Sequence, residues 1–291
     1  MNNISIIIVN FKSWKPLELC LNSLINQTNI NSEIIVVDNH SNDSKINLFK
    51  KKYGSVKWIE NDKNYGFSKA CNIGEIKSKF DILLFLNPDT ILKPDSLENI
   101  FNKKIDFNKT LISIKQVNNK NKNTYAYGNF LGFLTFNGIL RFLYRQLNKK
   151  TKKKLDKLNY FYPDWVSGSF IIISKKIFYE IGKWDERFWM YYEDMDLCKR
   201  ARNIDKNVLM INDLFCYHFH GLSSRIDYET EIKTKTEVLL SKIKYVKKHF
   251  IGFNKLLLVY FIYFSILFEL LLFSTFSKVK RGILLAFLKR I

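Results

Sequence analysis

Asn87-Pro88-Asp89 follows directly on Asp81–Leu86 (DILLFL), a run as apolar as a protein core. A carboxylate at the end of so buried a strand emerges at the sheet edge, where it can hold a cation. Mg²⁺ and Mn²⁺ take oxygen ligands and commonly bridge one or two carboxylates to substrate phosphates. Asn, Pro and Asp are also turn formers, so a plain type I turn accounts for the same residues. A second acidic group, Asp185, Glu186, Glu193, Asp194 and Asp196, sets five carboxylates within about a dozen positions, among Phe188, Trp189, Tyr191 and Tyr192. Acids at a helix start with Lys199, Arg200 and Arg202 later on would complement a helix dipole. An aromatic wall beside carboxylates would equally suit a sugar cleft with a general base. His218 and His220 alternate ahead of Gly221, which leaves open which imidazole enters a site.

Several chemistries lack their signatures. There is no G-x-G-x-x-G and no G-x-x-x-x-G-K-[ST], so a dinucleotide fold and a P-loop kinase lose their main support. Cys20, Cys71, Cys198 and Cys216 are too scattered for a zinc site or a disulfide framework, and suit a reducing compartment. No Ser-His-Asp order or nucleophile elbow competes.

The elements that must position these groups read as alternating strands and helices. Ile4–Val9 (ISIIIV) is the continuous β-branched run of a strand buried on both faces. Leu17, Cys20, Leu21, Leu24 and Ile25 then recur at helical spacing over Pro16–Gln27, with Pro16 near the start, where it is tolerated. Glu33–Val37 is a second buried strand, ending at Asp38-Asn39. The pattern repeats as a weak strand (Val56–Ile59), a helix (Gly66–Ile76) and the strong strand Asp81–Leu86. Strand-helix-strand units of this kind predict an α/β fold with a mostly parallel nucleotide-binding sheet, whose ligands sit at the carboxyl ends of the strands. Residues 103–160 read as a variable Lys- and Asn-rich region. A strand at Phe170–Ser174 and a helix at Glu193–Arg202 restore order.

The chain resembles the family 2 glycosyltransferases, and within them the rhamnosyltransferase-like branch that builds bacterial surface polysaccharides. The resemblance is carried, in the family's order, by SIIIVNFKSW, EIIVVDNHSND, NYGFSKACNIG, LFLNPDT, WVSGSF, DERFWMYYEDMDLCKR and HFHGLSS, which together cover roughly residues 4–225. It implies a GT-A fold in which Asp38 contacts the nucleotide base. Asn10, Gly66 and Asn72 would line the nucleoside and diphosphate pocket. Asn87 and Asp89 would occupy the first and last places of an Asp-x-Asp-like motif, with Asp89 the direct metal ligand. Trp165, Gly168, Ser169, Asp185 and Glu193 would border the donor and acceptor sugars. Asp194 would be the catalytic base, and His218, with His220 as runner-up, would help hold the metal, Mg²⁺ or Mn²⁺. The implied reaction is inverting transfer from a dTDP- or UDP-sugar, dTDP-rhamnose first among them, to a glycan or polyprenyl-diphosphate-linked acceptor. One base and one metal suffice for it. A two-carboxylate covalent route would need a nucleophile for which the sequence gives no sign.

A formal net charge of +20 suits nucleic acid, an anionic membrane or a phosphate-bearing substrate alike. A nucleic-acid-binding protein is the rival from another class, and the acidic motifs at strand ends argue against it. A non-catalytic subunit of the same fold is disfavoured by the presence of Asp89 and Asp194. Residues 1–250 are expected to form the catalytic domain, and 251–291 a membrane-associating helical segment. Leu256–Phe276 is 21 residues long with Glu269 as its one charge, enough to span a bilayer. Basic residues flank both ends, which for a single span would oppose the positive-inside tendency. Interfacial or re-entrant placement on the anionic cytoplasmic face of a bacterial inner membrane avoids that conflict, and Gly282–Ile291 supplies a short basic-ended tail for it. The start of the chain shows no cleavable leader, so the catalytic part is expected to stay inside. A second copy of the chain, forming a homo-oligomer, is a further candidate partner.

Overall fold

The computed structural model describes residues 2–132, 135–136, 138–219 and 227–291, with the backbone alone for 138–141, 145, 149 and 152. The chain divides into two compact units: residues 1–129, 158–186 and 193–223 form the first, and residues 130–157, 187–192 and 224–291 the second.

The first unit is built on a sheet whose early strands match the apolar runs of the sequence. They are β1 (Asn2–Asn10), β2 (Ile30–Asp38), β3 (Lys57–Glu60) and β4 (Ile82–Leu86), connected through α1 (Trp14–Ile25), α2 (Lys45–Lys52) and α3 (Phe67–Ile76). These four strands are parallel in the order β3-β2-β1-β4. In β1, β2 and β4 the mid-strand residues are almost wholly buried because helices cover the sheet, which is why these strands read as apolar runs, whereas the edge strand β3 is only half-buried.

Beyond β4 the sequence reading was incomplete. β5 (Thr90–Ile91) and α4 (Ser96–Asn102) lead into β6 (Thr110–Val117), a fully formed strand inside the stretch expected to be variable. β7 (Tyr127–Gly128), β8 (Tyr160–Phe161) and β9 (Trp165–Val166) are short. β10 (Phe170–Ser174) inserts antiparallel between β4 and β6, and α7 (Lys175–Glu180) and α8 (Glu193–Arg202) follow it. β11 (Asn207–His218) then runs parallel to β6, with a register shift between Ile211 and Phe215. The sheet is therefore mixed, since one reversed strand joins two parallel sets. The set β2-β1-β4 ends at the same edge as β6 and β11, and there β10 begins.

The second unit contains α5 (Gly138–Leu147), α6 (Lys149–Leu155), α9 (Tyr228–His249), α10 (Gly252–Ser274) and α11 (Lys278–Leu288). In α10, Leu258, Ile262, Ile266 and Leu270 recur every four residues and are buried, forming one packed stripe. Phe261, Phe264, Phe268 and Leu271 stay exposed on the remainder.

Gly74 shows how closely α3 lies on the sheet, because a Cβ there would meet Ile7 Cγ2 at 2.6 Å and Val37 Cγ2 at 3.0 Å. Alanine gains about 1 kcal/mol in helix propensity. Overpacking a tight core costs about 1–3 kcal/mol. Gly74→Ala should therefore lower the melting temperature by about 2–4 °C in a thermal melt. An unchanged or higher melting temperature would mean that Ile7 yields freely.

Candidate active site

At the carboxyl edge of the sheet, β1 and β2 end in register, Asn10 beside Asp38. Buried Asn10 donates from Nδ2 to Asp38 Oδ1 at 2.9 Å, and Asp38 also accepts from Ser41 N (Oδ2, 2.9 Å) and Ser41 Oγ (Oδ1, 2.5 Å). Both predicted nucleotide-binding residues are thus brought together, and their polar atoms fix each other as well as the loop after β2. Asn39 extends the network. Its Nδ2 donates to Asn64 Oδ1 and Gly66 O, and its Oδ1 accepts from Asn61 Nδ2 and Tyr65 N, all at 2.9–3.0 Å. Gly66 caps α3 with φ 83° and ψ −179°, a conformation open essentially to glycine alone.

Asn72 faces another way. Its Nδ2 donates to Trp184 O at 2.9 Å and Glu186 Oε1 at 3.0 Å, and its Oδ1 accepts from Trp184 N at 3.2 Å. It therefore clamps the segment bearing Asp185, which is half-buried. Trp184 anchors that segment through edge-on contacts with Phe67 and Phe85, at 5.5 and 5.2 Å between ring centroids.

The predicted pair Glu193 and Asp194 opens α8, with Tyr191 and Tyr192 before it both in the left-handed region (φ 68° and 66°). Asp194 accepts from Gly168 N at 3.2 Å (Oδ2) and from Met195 N at 2.8 Å (Oδ1). Burial raises its pKa above the ordinary value, opposed by those N–H donors, which favour the ionised form. Glu193 is pushed well above the ordinary range, by burial first and then by the negative charges of Asp194 and Asp196. Its Oε2 is buried without a hydrogen-bond partner among the described residues. Of the two, Glu193 is pushed further towards its neutral form, and the N–H donors favour the ionised form of Asp194. Asp196, wholly buried, instead accepts from Arg200 Nε at 2.8 Å and serves the helix. The neighbouring aromatics engage α9 within the second unit: Lys233 Nζ lies 4.3 Å from the Trp189 ring and Lys248 Nζ 5.8 Å from that of Phe188.

Gly168 touches Phe67, Asp194 and Trp184 only at ordinary distances of 3.4–3.6 Å from a would-be Cβ, so its contribution is the N–H it gives to Asp194. Trp165 donates from Nε1 to Asn129 O at 2.9 Å, and its ring lies against Gly128. The Ser169 carbonyl accepts from Asn87 N at 3.0 Å, tying the two strand ends together.

Asp89 is 1% exposed and sits where β4 gives way to β5, while His218 ends β11 opposite Thr90. His218 Nε2 lies 3.3 Å from Asp89 Oδ1. Adjacent ligands of an octahedral cation with bonds of about 2.1 Å stand about 3 Å apart, so this pair fits one divalent cation. An imidazole beside a carboxylate suits Mn²⁺ better than Mg²⁺, which prefers oxygen throughout. Among the described residues no group of three or more His, Cys, Asp or Glu side chains is placed to hold a metal. Asn87 is half-buried, with no described side-chain hydrogen bond to the pair. His220, Gly221 and Ser223 of the predicted histidine motif lie outside the described residues. The sequence reading missed Gln116, on β6, whose Oε1 lies 2.7 Å from His218 Nδ1.

Residues 5–182 match the family model described as "Glycosyl transferase family 2". The low-salt glycan biosynthesis hexosyltransferase Agl10 of Haloferax volcanii is 27% identical over 217 residues, 72% of this chain and 64% of that protein. Rhamnosyltransferase WbbL of Escherichia coli is 30% identical, covering 47% of this chain and 54% of its own length. The chain thus spans just under two thirds of the first of these relatives and about half of the second. The N-acetylglucosaminyl-diphospho-decaprenol L-rhamnosyltransferase of Mycobacterium tuberculosis is 22% identical, covering 67% of this chain and 69% of that protein. Among solved structures, Staphylococcus aureus TarS 1–349 superposes with a TM-score of 0.53 at 15% identity over 89% of this chain and 69% of its own. GalNAc-T7, determined with UDP, GalNAc and Mn²⁺, gives 0.56 at 17% identity over 75% of this chain and 43% of its own. Those two likenesses concern the fold, which is GT-A.

Glu193 carries a pH signature. Unfolded, it ionises near its ordinary value of 4.5, whereas folded it keeps its proton to higher pH. Between those two values the unfolded chain binds fewer protons, so this group makes stability fall as pH rises. Glu193→Gln lacks the effect. Its melting temperature should gain on wild type progressively as pH rises above about 4.5, and a gap that stays constant or narrows would contradict the buried neutral acid.

Proposed function

The chain belongs to glycosyl transferase family 2, and we propose that it moves a sugar, rhamnose or another hexose, from a dTDP- or UDP-sugar to a glycan or polyprenyl-diphosphate-linked acceptor with inversion. The observation that carries this reading is the gathering, on one sheet edge, of three groups with separate tasks: Asn10-Asp38, Asp89-His218 and Asp194. Asp38, Asn10 and the Gly66 turn would receive the nucleoside. Asp89 and His218 would hold Mn²⁺ or Mg²⁺, which supplies positive charge for the departing diphosphate. Asp194 would take the proton of the acceptor hydroxyl as it attacks the anomeric carbon, held in place by the N–H groups of Gly168 and Met195. Glu193, kept neutral, avoids a second charge beside that base.

The membrane reading draws on the second unit. α10 is 23 residues long with a mean hydropathy of 2.5 over its most apolar 18-residue window. It packs one stripe on α9 and α11. α9 carries many charged residues, which a bilayer-spanning hairpin would have to drag through hydrocarbon at high cost. An interfacial placement, with the exposed aromatic side of α10 in the lipid, avoids this. α5 and α6 add exposed Phe142, Leu143 and Leu147 beside exposed Lys150, Lys153 and Lys154. Such a surface fits the anionic cytoplasmic face of a bacterial inner membrane and brings the enzyme to a lipid-linked acceptor.

Asp194→Asn keeps shape but cannot take a proton. It should lower kcat by about 10²-fold or more with donor affinity retained, while Glu193→Gln should be milder. In the wild type the acid limb of kcat/KM should lie above the ordinary aspartate range, because burial raises the Asp194 pKa. Steady-state kinetics with the two variants in reversed order would move the base to Glu193. For the membrane, full-length protein should float with anionic liposomes and lose part of its binding at higher salt. Protein truncated after Gly252 that floats equally well would place the dock away from α10.

A further inference from the structure

Gln116 is 1% exposed and sits beside Cys216 in the β6–β11 register. Cys216 and His218, two residues apart on a strand, share a face, so the fold brings the Gln116 amide to the back of the His218 ring. Gln116 Oε1 is 2.7 Å from His218 Nδ1 and accepts from Ser169 Oγ at 2.9 Å, and Ser169 Oγ also lies 2.9 Å from Ser167 Oγ. Gln116 Nε2 is buried with no hydrogen-bond partner among the described residues.

We propose that Gln116 is a positioning residue that sets the tautomer of His218, presenting its Nε2 lone pair, beside Asp89, to a divalent cation. This rests on the reading of Asp89 and His218 as the cation site. A neutral imidazole has one donor and one acceptor nitrogen. With Oε1 on Nδ1, the ring proton is at Nδ1, and the Nε2 lone pair faces the Asp89 oxygen 3.3 Å away. That spacing suits one divalent cation bound to both atoms. Half a turn of the amide exchanges Oε1 and Nε2. The amide then donates to Nδ1, the ring proton moves to Nε2, and that N–H bonds to Asp89, which closes the site to a cation.

Ser169 tolerates either orientation, since its hydroxyl both donates and accepts. The amide orientation, the histidine tautomer and cation binding are thereby one linked choice. The orientation that exposes the lone pair leaves the buried Nε2 of Gln116 unpaired, so cation binding must offset that loss. Metal-ligating histidines are commonly fixed in this way by a partner on the other ring nitrogen, and loss of such a partner weakens metal binding about 10–100-fold.

The test uses full-length protein, Mn²⁺ titration by calorimetry, and long-range ¹H–¹⁵N spectra of the histidines, with His218 assigned by the loss of its signals in His218→Asn. Gln116→Met removes the acceptor. It should shift His218 toward the Nε2–H tautomer and weaken Mn²⁺ binding about 10-fold or more. Gln116→Glu, measured at a pH where its carboxylate is ionised, can only accept, and should keep the Nδ1–H tautomer with Mn²⁺ affinity at or above wild type. Wild-type affinity and tautomer in Gln116→Met, while His218→Asn and Asp89→Asn lose Mn²⁺, would overturn the role of Gln116 alone. Should the methionine variant not fold, weakened Mn²⁺ binding in a folded Gln116→Glu would overturn it as well. Mn²⁺ affinity unchanged in His218→Asn and Asp89→Asn would instead remove the cation site, and the proposal with it.

Discussion

The register of β1 between β2 and β4 is the constraint on which the site depends. Three parallel strands, apolar along their length, turn polar where they end, and the Asn10–Asp38 bond closes that boundary. A slip of one residue would exchange the faces of every side chain on a strand, burying these polar groups against helices. The reversed strand β10 extends the same edge, because its first residues, preceded by Gly168 and Ser169, lie where β4 ends. β6 and β11 bring Gln116 and His218 to it from the far side.

Within that edge the acids divide by environment. Asp38 is buried but saturated with donors, Asp196 is matched by Arg200, and Asp89 stands against an imidazole. Glu193 has a buried oxygen without a donor among the described residues, and Asp194 next to it has backbone N–H groups on both of its oxygens. Burial raises both pKa values, but the N–H donors on Asp194 oppose the rise, so these neighbours in sequence differ in how firmly they hold the proton.

The parts legible in the sequence were those where one physical demand dominates. Continuous apolar runs, β-branched in β1 and β2, marked β1, β2 and β4, and the helical repeat of Leu17, Cys20, Leu21 and Leu24 marked α1. β6 was hidden because TLISIKQV lies in a Lys- and Asn-rich stretch, and β11 because Asn212 and Asp213 interrupt its apolar pattern at the register shift. Gln116 was unreadable for a related reason: a glutamine announces no chemistry until the fold sets it behind a histidine 102 positions away. α9, long and heavily charged, carries its apolar stripe too sparsely to be picked out by eye. Asn72 was assigned to the nucleotide pocket through its motif, whereas its amide is engaged by Trp184 and Glu186, a bond that only tertiary structure reveals.

The central claim is that this edge binds a nucleotide-sugar through a cation and releases its nucleoside diphosphate. It is tested most directly by incubating the full-length chain with a panel of dTDP- and UDP-sugars, with and without Mn²⁺, and measuring nucleoside diphosphate released. The account predicts release from at least one donor that requires the cation and is lost in Asp89→Asn. Release that proceeds equally without added cation in the presence of chelator, or that survives Asp89→Asn unchanged, would contradict it.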